Sequence, residues 1–150
     1  MRAYSVFALA TVALAACGGD DGSGPGSASV EGSWSASVSN MTGGGATCST
    51  TSPIQATLRQ TGSTFTGSYS SGVLTCTTPT ESFSASTGSG PVINGQVSGE
   101  NVTFDLGTPA FHHTGILEGT AMSGTAEWLY DFGNPLGVVT LSGNWSATKQ

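Results

Sequence analysis

From Val30 to the C-terminus, apolar and small polar residues alternate with a period of two. That period belongs to a strand with one buried face, and it excludes a helical fold. Val30, Gly32, Trp34, Ala36 and Val38 alternate with Glu31, Ser33, Ser35, Ser37 and Ser39. The rows that follow are Ile54–Leu58, Phe65–Tyr69, Ile93–Val97, Val102–Leu106, Phe111–Leu117, Met122–Tyr130 and Val139–Ala147. These eight strands are expected to form an all-β domain over 30–150. An eight-stranded antiparallel up-and-down barrel removes the unprotected edges of such a sheet, with a β-sandwich as the alternative architecture.

A glycine turn followed three residues later by an apolar residue occurs at Gly62/Phe65, Gly99/Val102 and Gly119/Met122. Glycine suits tight hairpin turns that need a positive φ. In an up-and-down order the three turns share one end. The longer connections, Asn40 to Pro53, Ser71 to Gly90, Gly107 to Ala110 and Asp131 to Leu136, share the other. Within the second of them, Pro79 to Thr87 has room for a short extra strand or a turn of helix.

The segment before Val30 reads as an address. Met1-Arg2 precedes a run of Ala, Val, Leu and Phe that closes on Leu14-Ala15-Ala16-Cys17. As a helix the run reaches roughly 21 Å, short of the ~30 Å hydrocarbon core, so a signal peptide over 1–16 is expected rather than a membrane span. Leu-Ala-Ala-Cys resembles the lipobox of bacterial lipoproteins. The resemblance implies removal of residues 1–16, acylation of Cys17 and anchoring in the cell envelope. With glycine rather than aspartate after the cysteine, it implies sorting to the outer membrane of a Gram-negative cell. Residues 17–29, rich in Gly and Ser, would then be the lipidated cysteine and a flexible tether reaching on the order of 17 Å.

Two cysteines remain, Cys48 and Cys76. In an exported protein they are expected to form one disulfide, stabilising the fold by roughly 3–4 kcal/mol in the chain-entropy model. They fall on the first two long connections, so the strand order brings both to the same end.

Gly32-Ser33-Trp34 resembles the Gly-x-Trp with which lipocalins and avidin-like proteins open their eight-stranded barrels, and Gly143-Asn144-Trp145 repeats it on the last strand. The resemblance implies that Trp34 and Trp145 lie on neighbouring strands and plug the tight-turn end. It also implies a basic side chain, Lys149 or Arg59, over a tryptophan. It carries no ligand with it.

The chain has 150 residues, with 3 Lys+Arg against 9 Asp+Glu and a net charge of −6. That leaves no basic patch for phosphates, so nucleic acid is not an expected partner. No nucleophile-elbow, Walker, dinucleotide-binding or zinc-protease motif occurs, and no metal, cofactor or catalytic constellation is expected. His112 and His113 are adjacent on a strand and so point to opposite faces. His113 points inward, to contact a ligand or to satisfy itself at the rim. Tyr69, Phe111, Trp128 and Tyr130 are expected inward toward the long-loop end, beside wall positions occupied by glycine. Two functions follow as expectations. One is an envelope protein binding a small apolar ligand through Tyr69, Phe111, His113, Trp128 and Tyr130. The other is a protein-interaction module or enzyme inhibitor acting through the disulfide-tied loops.

Overall fold

The computed structural model describes residues 28–107, 111–133 and 137–150. The expected signal peptide over 1–16, Cys17 and most of the expected tether lie outside the described residues. Eleven strands follow one another: β1 (Gly32–Gly43), β2 (Ala46–Ser52), β3 (Ile54–Thr61), β4 (Thr64–Tyr69), β5 (Val73–Thr77), β6 (Ser82–Ser86), β7 (Gly90–Ser98), β8 (Asn101–Leu106), β9 (Phe111–Glu118), β10 (Ala121–Asp131) and β11 (Val138–Lys149). Eight of them close into an antiparallel barrel in the order β1-β3-β4-β7-β8-β9-β10-β11, with β11 returning to β1. The barrel is the expected architecture, and the closure of β11 on β1 excludes the sandwich.

Of the other three strands, β2 and β5 correct the expected long loops, and β6 is the short extra strand for which Pro79 to Thr87 has room. Asn40 to Pro53 holds the end of β1 and all of β2, and Ser71 to Gly90 holds β5 and β6. Each extra strand continues a barrel strand past a bend: β2 into β3 at Pro53, β4 into β5 across Ser70–Gly72, and β6 into β7 across 87–89. Thus β1 pairs with β3 along Gly32–Ala36 and with β2 along Met41–Gly43. The result is a meander of eight long strands, three of them bent, whose far ends form a ribbon β1-β2-β5-β6 above the barrel. Alternation missed β2 because its inward residues, Ala46 and Cys48, are small.

The bends free backbone N–H groups, and hydroxyl side chains accept from them. Thr50 Oγ1 accepts from Val38 N at 2.7 Å, Ser49 Oγ from Asn40 N at 3.2 Å and Thr87 Oγ1 from Gly72 N at 2.9 Å. Part of the Ser/Thr content thus has a structural reason, since a buried donor left unpaired is costly.

The inward rows hold with one exception. In β7 the inward residues are Val92, Gly95 and Val97, and Ile93 is not among them. Asn94 takes a φ of 55° at a bulge in the β7–β8 ladder, and one extra residue reverses the side-chain parity. The turn glycines Gly62, Gly99 and Gly119 have φ of 61°, 62° and 60°, as the repeat requires.

Trp34 and Trp145 lie on paired strands, as expected, but they do not plug the same end. Trp34 stands opposite Lys149 in the β1–β11 ladder, and the Lys149 Nζ lies 5.8 Å from its ring centroid. Its indole donates to Val30 O at 2.7 Å. Trp145 stands opposite Val38, deeper in the barrel, and donates to Thr114 O at 3.0 Å.

Candidate functional site

Inside the barrel the expected residues converge, and they converge on one another. His113 is stacked on Phe104 at 4.6 Å between centroids, with the rings 3° from parallel, and meets Trp145 edge-on at 5.4 Å. Its Nδ1–H donates to Phe111 O at 2.8 Å. Burial among these rings pushes its pKa down to about 3, the hydrogen bond to Phe111 opposing only in part, so the imidazole is neutral near pH 7. Phe111 stacks on Trp128 at 5.1 Å, Trp128 meets Tyr130 at 4.3 Å, and Tyr130 meets Phe132 at 4.7 Å.

Tyr69 is buried on β4, and burial raises the pKa of its phenol. Its hydroxyl occupies the space beside Gly107, where a Cβ would collide with it.

The aromatic residues pack on one another along the inside of the barrel. A cavity in the core, lined by Trp34, Ile54, Leu58, Phe104, His113 and Trp145 among others, measures about 30 Å³. The wall glycines do not make it larger. A Cβ at Gly67 would strike Thr57 O, and one at Gly124 would strike Thr114 O, so these residues let neighbouring backbones approach.

The outer wall carries a cluster that sequence reasoning did not assemble. Asp105 Oδ2 accepts from Asn94 Nδ2 at 2.7 Å and its Oδ1 bonds His112 Nδ1 at 2.6 Å. Burial acts to raise the Asp105 pKa, but the hydrogen bonds from Asn94 and His112 outweigh it and hold the carboxyl below the usual range. The row continues through Glu127, opposite His112, to Ser142. Of these, His112, Glu127 and Ser142 border an open trough of about 570 Å³. Among the described residues no hydroxyl is bonded to His112 and no three His, Cys, Asp or Glu side chains converge as metal ligands. The signal that assembles the cluster is the bulge at Asn94, which turns its amide toward a carboxylate eleven residues away.

The ribbon is the region where loops were expected to act. Cys48 and Cys76 stand directly opposite each other on β2 and β5 and are disulfide-bonded, as expected. The inward face holds Met41, Ala46, Cys48, Leu74, Cys76 and Ala85, all buried. From β6, Phe83 reaches the end of the β10 strand and meets Phe132 edge-on at 5.5 Å. The ribbon therefore curls over the mouth of the barrel.

No family profile, curated protein or solved structure matches the chain.

Proposed function

We propose that the chain is a lipid-anchored cell-envelope protein whose barrel is a rigid support and whose disulfide-tied ribbon contacts a protein partner, as an interaction module or an enzyme inhibitor. What supports this reading is the tight core among the described residues. Small-molecule sites occupy roughly 300–1,000 Å³, against about 30 Å³ for the cavity between Trp34, Phe104, His113 and Trp145. Tyr69, Phe111, His113, Trp128 and Tyr130 serve packing in this reading, each aromatic ring of Phe111, His113, Trp128 and Tyr130 meeting another.

The ribbon has the attributes of a contact surface. It stands at one end of a closed scaffold, a covalent bond holds its two central strands, and one of its edges is unpaired among the described residues. Its outward side chains are mostly Ser and Thr, which hydrogen-bond adaptably, with Val73 exposed among them. The anchor at Cys17 and the tether over 17–29 would present this end to a partner while fixing the protein to the outer membrane.

Site-specific photo-crosslinking in the native envelope tests the reading. A crosslinker at Thr75 or Ser84 on the ribbon is expected to give a protein adduct of discrete mass, while one at Thr125 or Ser146 on the barrel wall gives none. Adducts from the barrel positions and none from the ribbon would refute it. For the anchor, Cys17→Ser is expected to release the protein from the membrane fraction.

A further inference from the structure

We propose that the outer edge of β6 is a strand-addition site, and that its occupant is an extended protein segment alternating apolar and basic residues. The inference rests on the ribbon being the contact surface and names how it would be used.

The hydrogen-bonding parity of β6 is fixed from both ends. Thr87 N donates to Gly72 O at 3.1 Å and Thr78 N donates to Glu81 O at 2.8 Å. Antiparallel ladders alternate between bonded and non-bonded pairs. Phe83 and Ala85 therefore direct their N–H and C=O groups to β5, and Ser82, Ser84 and Ser86 direct theirs away from it. In the sheet β6 stands last, paired with β5 alone among the described residues. On the barrel below, the corresponding side of β7 is covered by β8. β8 stops at Leu106, and Gly107, with a φ of 64°, turns the chain, so no described strand continues this cover beside β6.

Exposed edges are usually blunted by lysine, proline, a bulge or an inward charge. Ser82-Phe83-Ser84-Ala85-Ser86 has none of these. Three outward backbone units with small side chains match what strand addition requires.

The neighbouring chemistry selects the occupant. Phe83 and Ala85 face inward, and half-buried Phe83, Tyr130 and Phe132 lie on that side, so the inward residues of an added strand meet an apolar, aromatic surface. In the described ribbon and the adjoining ends of β10 and β11, from Trp128 to Leu141, only Glu81 and Asp131 are charged. Both are exposed and acidic. Glu81 precedes β6, and Asp131 adjoins the Phe132 that meets Phe83. The described cations lie elsewhere, Arg59 on β3 and Lys149 at the end of β11. A segment with basic residues on alternate positions complements this charge, and an acidic one does not.

The test uses the full chain and two synthetic peptides, (Lys-Val)₄ and (Glu-Val)₄, with affinity measured by calorimetry and amide exchange followed residue by residue. The (Lys-Val)₄ peptide is expected to slow exchange at Ser82, Ser84 and Ser86 at least tenfold, and (Glu-Val)₄ to leave it unchanged. Ser84→Pro removes the central outward donor from a strand edge, where proline is tolerated, and is expected to weaken binding at least tenfold. Ser84→Lys keeps every backbone group and an exposed position. It is expected to weaken (Lys-Val)₄ binding, whereas Ser84→Glu strengthens it.

Equal binding of both peptides, protection outside β6, or indifference to all three substitutions would overturn the proposal. So would concentration-dependent dimers that Ser84→Pro abolishes, since the edge would then meet a second copy. Ribbon crosslinks that persist in Ser84→Pro would sink strand addition and leave the contact surface standing. Peptide binding at β6 without any ribbon crosslink in the envelope would do the reverse.

Discussion

The barrel and the ribbon are made from the same long strands, yet they are closed by different means. Hydrogen bonds run unbroken around the eight barrel strands. Among the described residues neither β8 nor β9 continues above the bends, and there Phe83 meets Phe132 through side chains and not through a ladder. The cores differ accordingly. The barrel buries Trp34, Phe65, Phe104, His113 and Trp145, while the ribbon buries Met41, Ala46, Cys48, Leu74, Cys76 and Ala85. Small side chains bury less apolar area, and at roughly 25 cal/mol per Å² the ribbon gains less from it. The disulfide supplies what the small core does not. The region with the weaker core is the one left with an open edge, the usual division between a stable scaffold and the part that meets a partner.

Acid should attack the barrel first and hardest. His113 has a pKa of about 3 in the folded chain against an ordinary value near 6.5. Between these values the unfolded chain binds a proton that the native chain refuses. Stability is therefore full above about pH 6.5 and falls as the pH drops toward 3, by about 4–5 kcal/mol from this residue. Asp105, whose pKa is lowered, adds a loss in the same direction as the pH falls through the carboxylate range. Denaturant unfolding between pH 7 and 3 measures the slope. In His113→Phe the slope above pH 4 should nearly vanish, and an unchanged slope would place the proton elsewhere.

Truncations sharpen the contrast. Trp145→Ala removes a buried indole and its bond to Thr114 O, and is expected to cost about 3–5 kcal/mol of global stability. Replacing Cys48 and Cys76 by alanine is expected to cost roughly 3–4 kcal/mol, read chiefly as faster amide exchange in β2, β5 and β6 while the barrel amides hold their protection. Phe83→Ala should cost only about 1–2 kcal/mol and should also be confined to the ribbon. Equal global losses from Phe83→Ala and Trp145→Ala would show that the two regions unfold as one unit and that the distinction is false.

The difference between the regions also governs how much was legible in the sequence. Barrel strands alternate a large apolar residue with a small polar one, so Phe65–Tyr69 and Met122–Tyr130 could be read directly, and strand order brought Cys48 and Cys76 together. Ribbon strands bury Ala, Cys and Met against Ser and Thr, a contrast too small for alternation to register, so β2 and β5 fall in expected loops, while β6 lies in the segment Pro79 to Thr87 that has room for an extra strand. The parity of β7 was lost at Asn94, whose φ of 55° no periodicity encodes. Among site residues the inward placement of Tyr69, Phe111, His113, Trp128 and Tyr130 was readable. Packing and an open cup were both consistent with it, because wall glycines signal both a cavity and close backbone packing. Glycines at 67 and 124 serve the second purpose. The Asn94–Asp105–His112 cluster depends on register across three strands and had no local signal.

The proposal that the barrel supports and the ribbon acts is tested most directly by native mass spectrometry of the protein purified from its own cells without denaturation. The account predicts the mass of the polypeptide with its covalent lipid and no stoichiometric small molecule. A non-covalent apolar adduct that is released on unfolding and lost in Trp128→Ala would contradict it, because the barrel would then be a ligand site and not only a support.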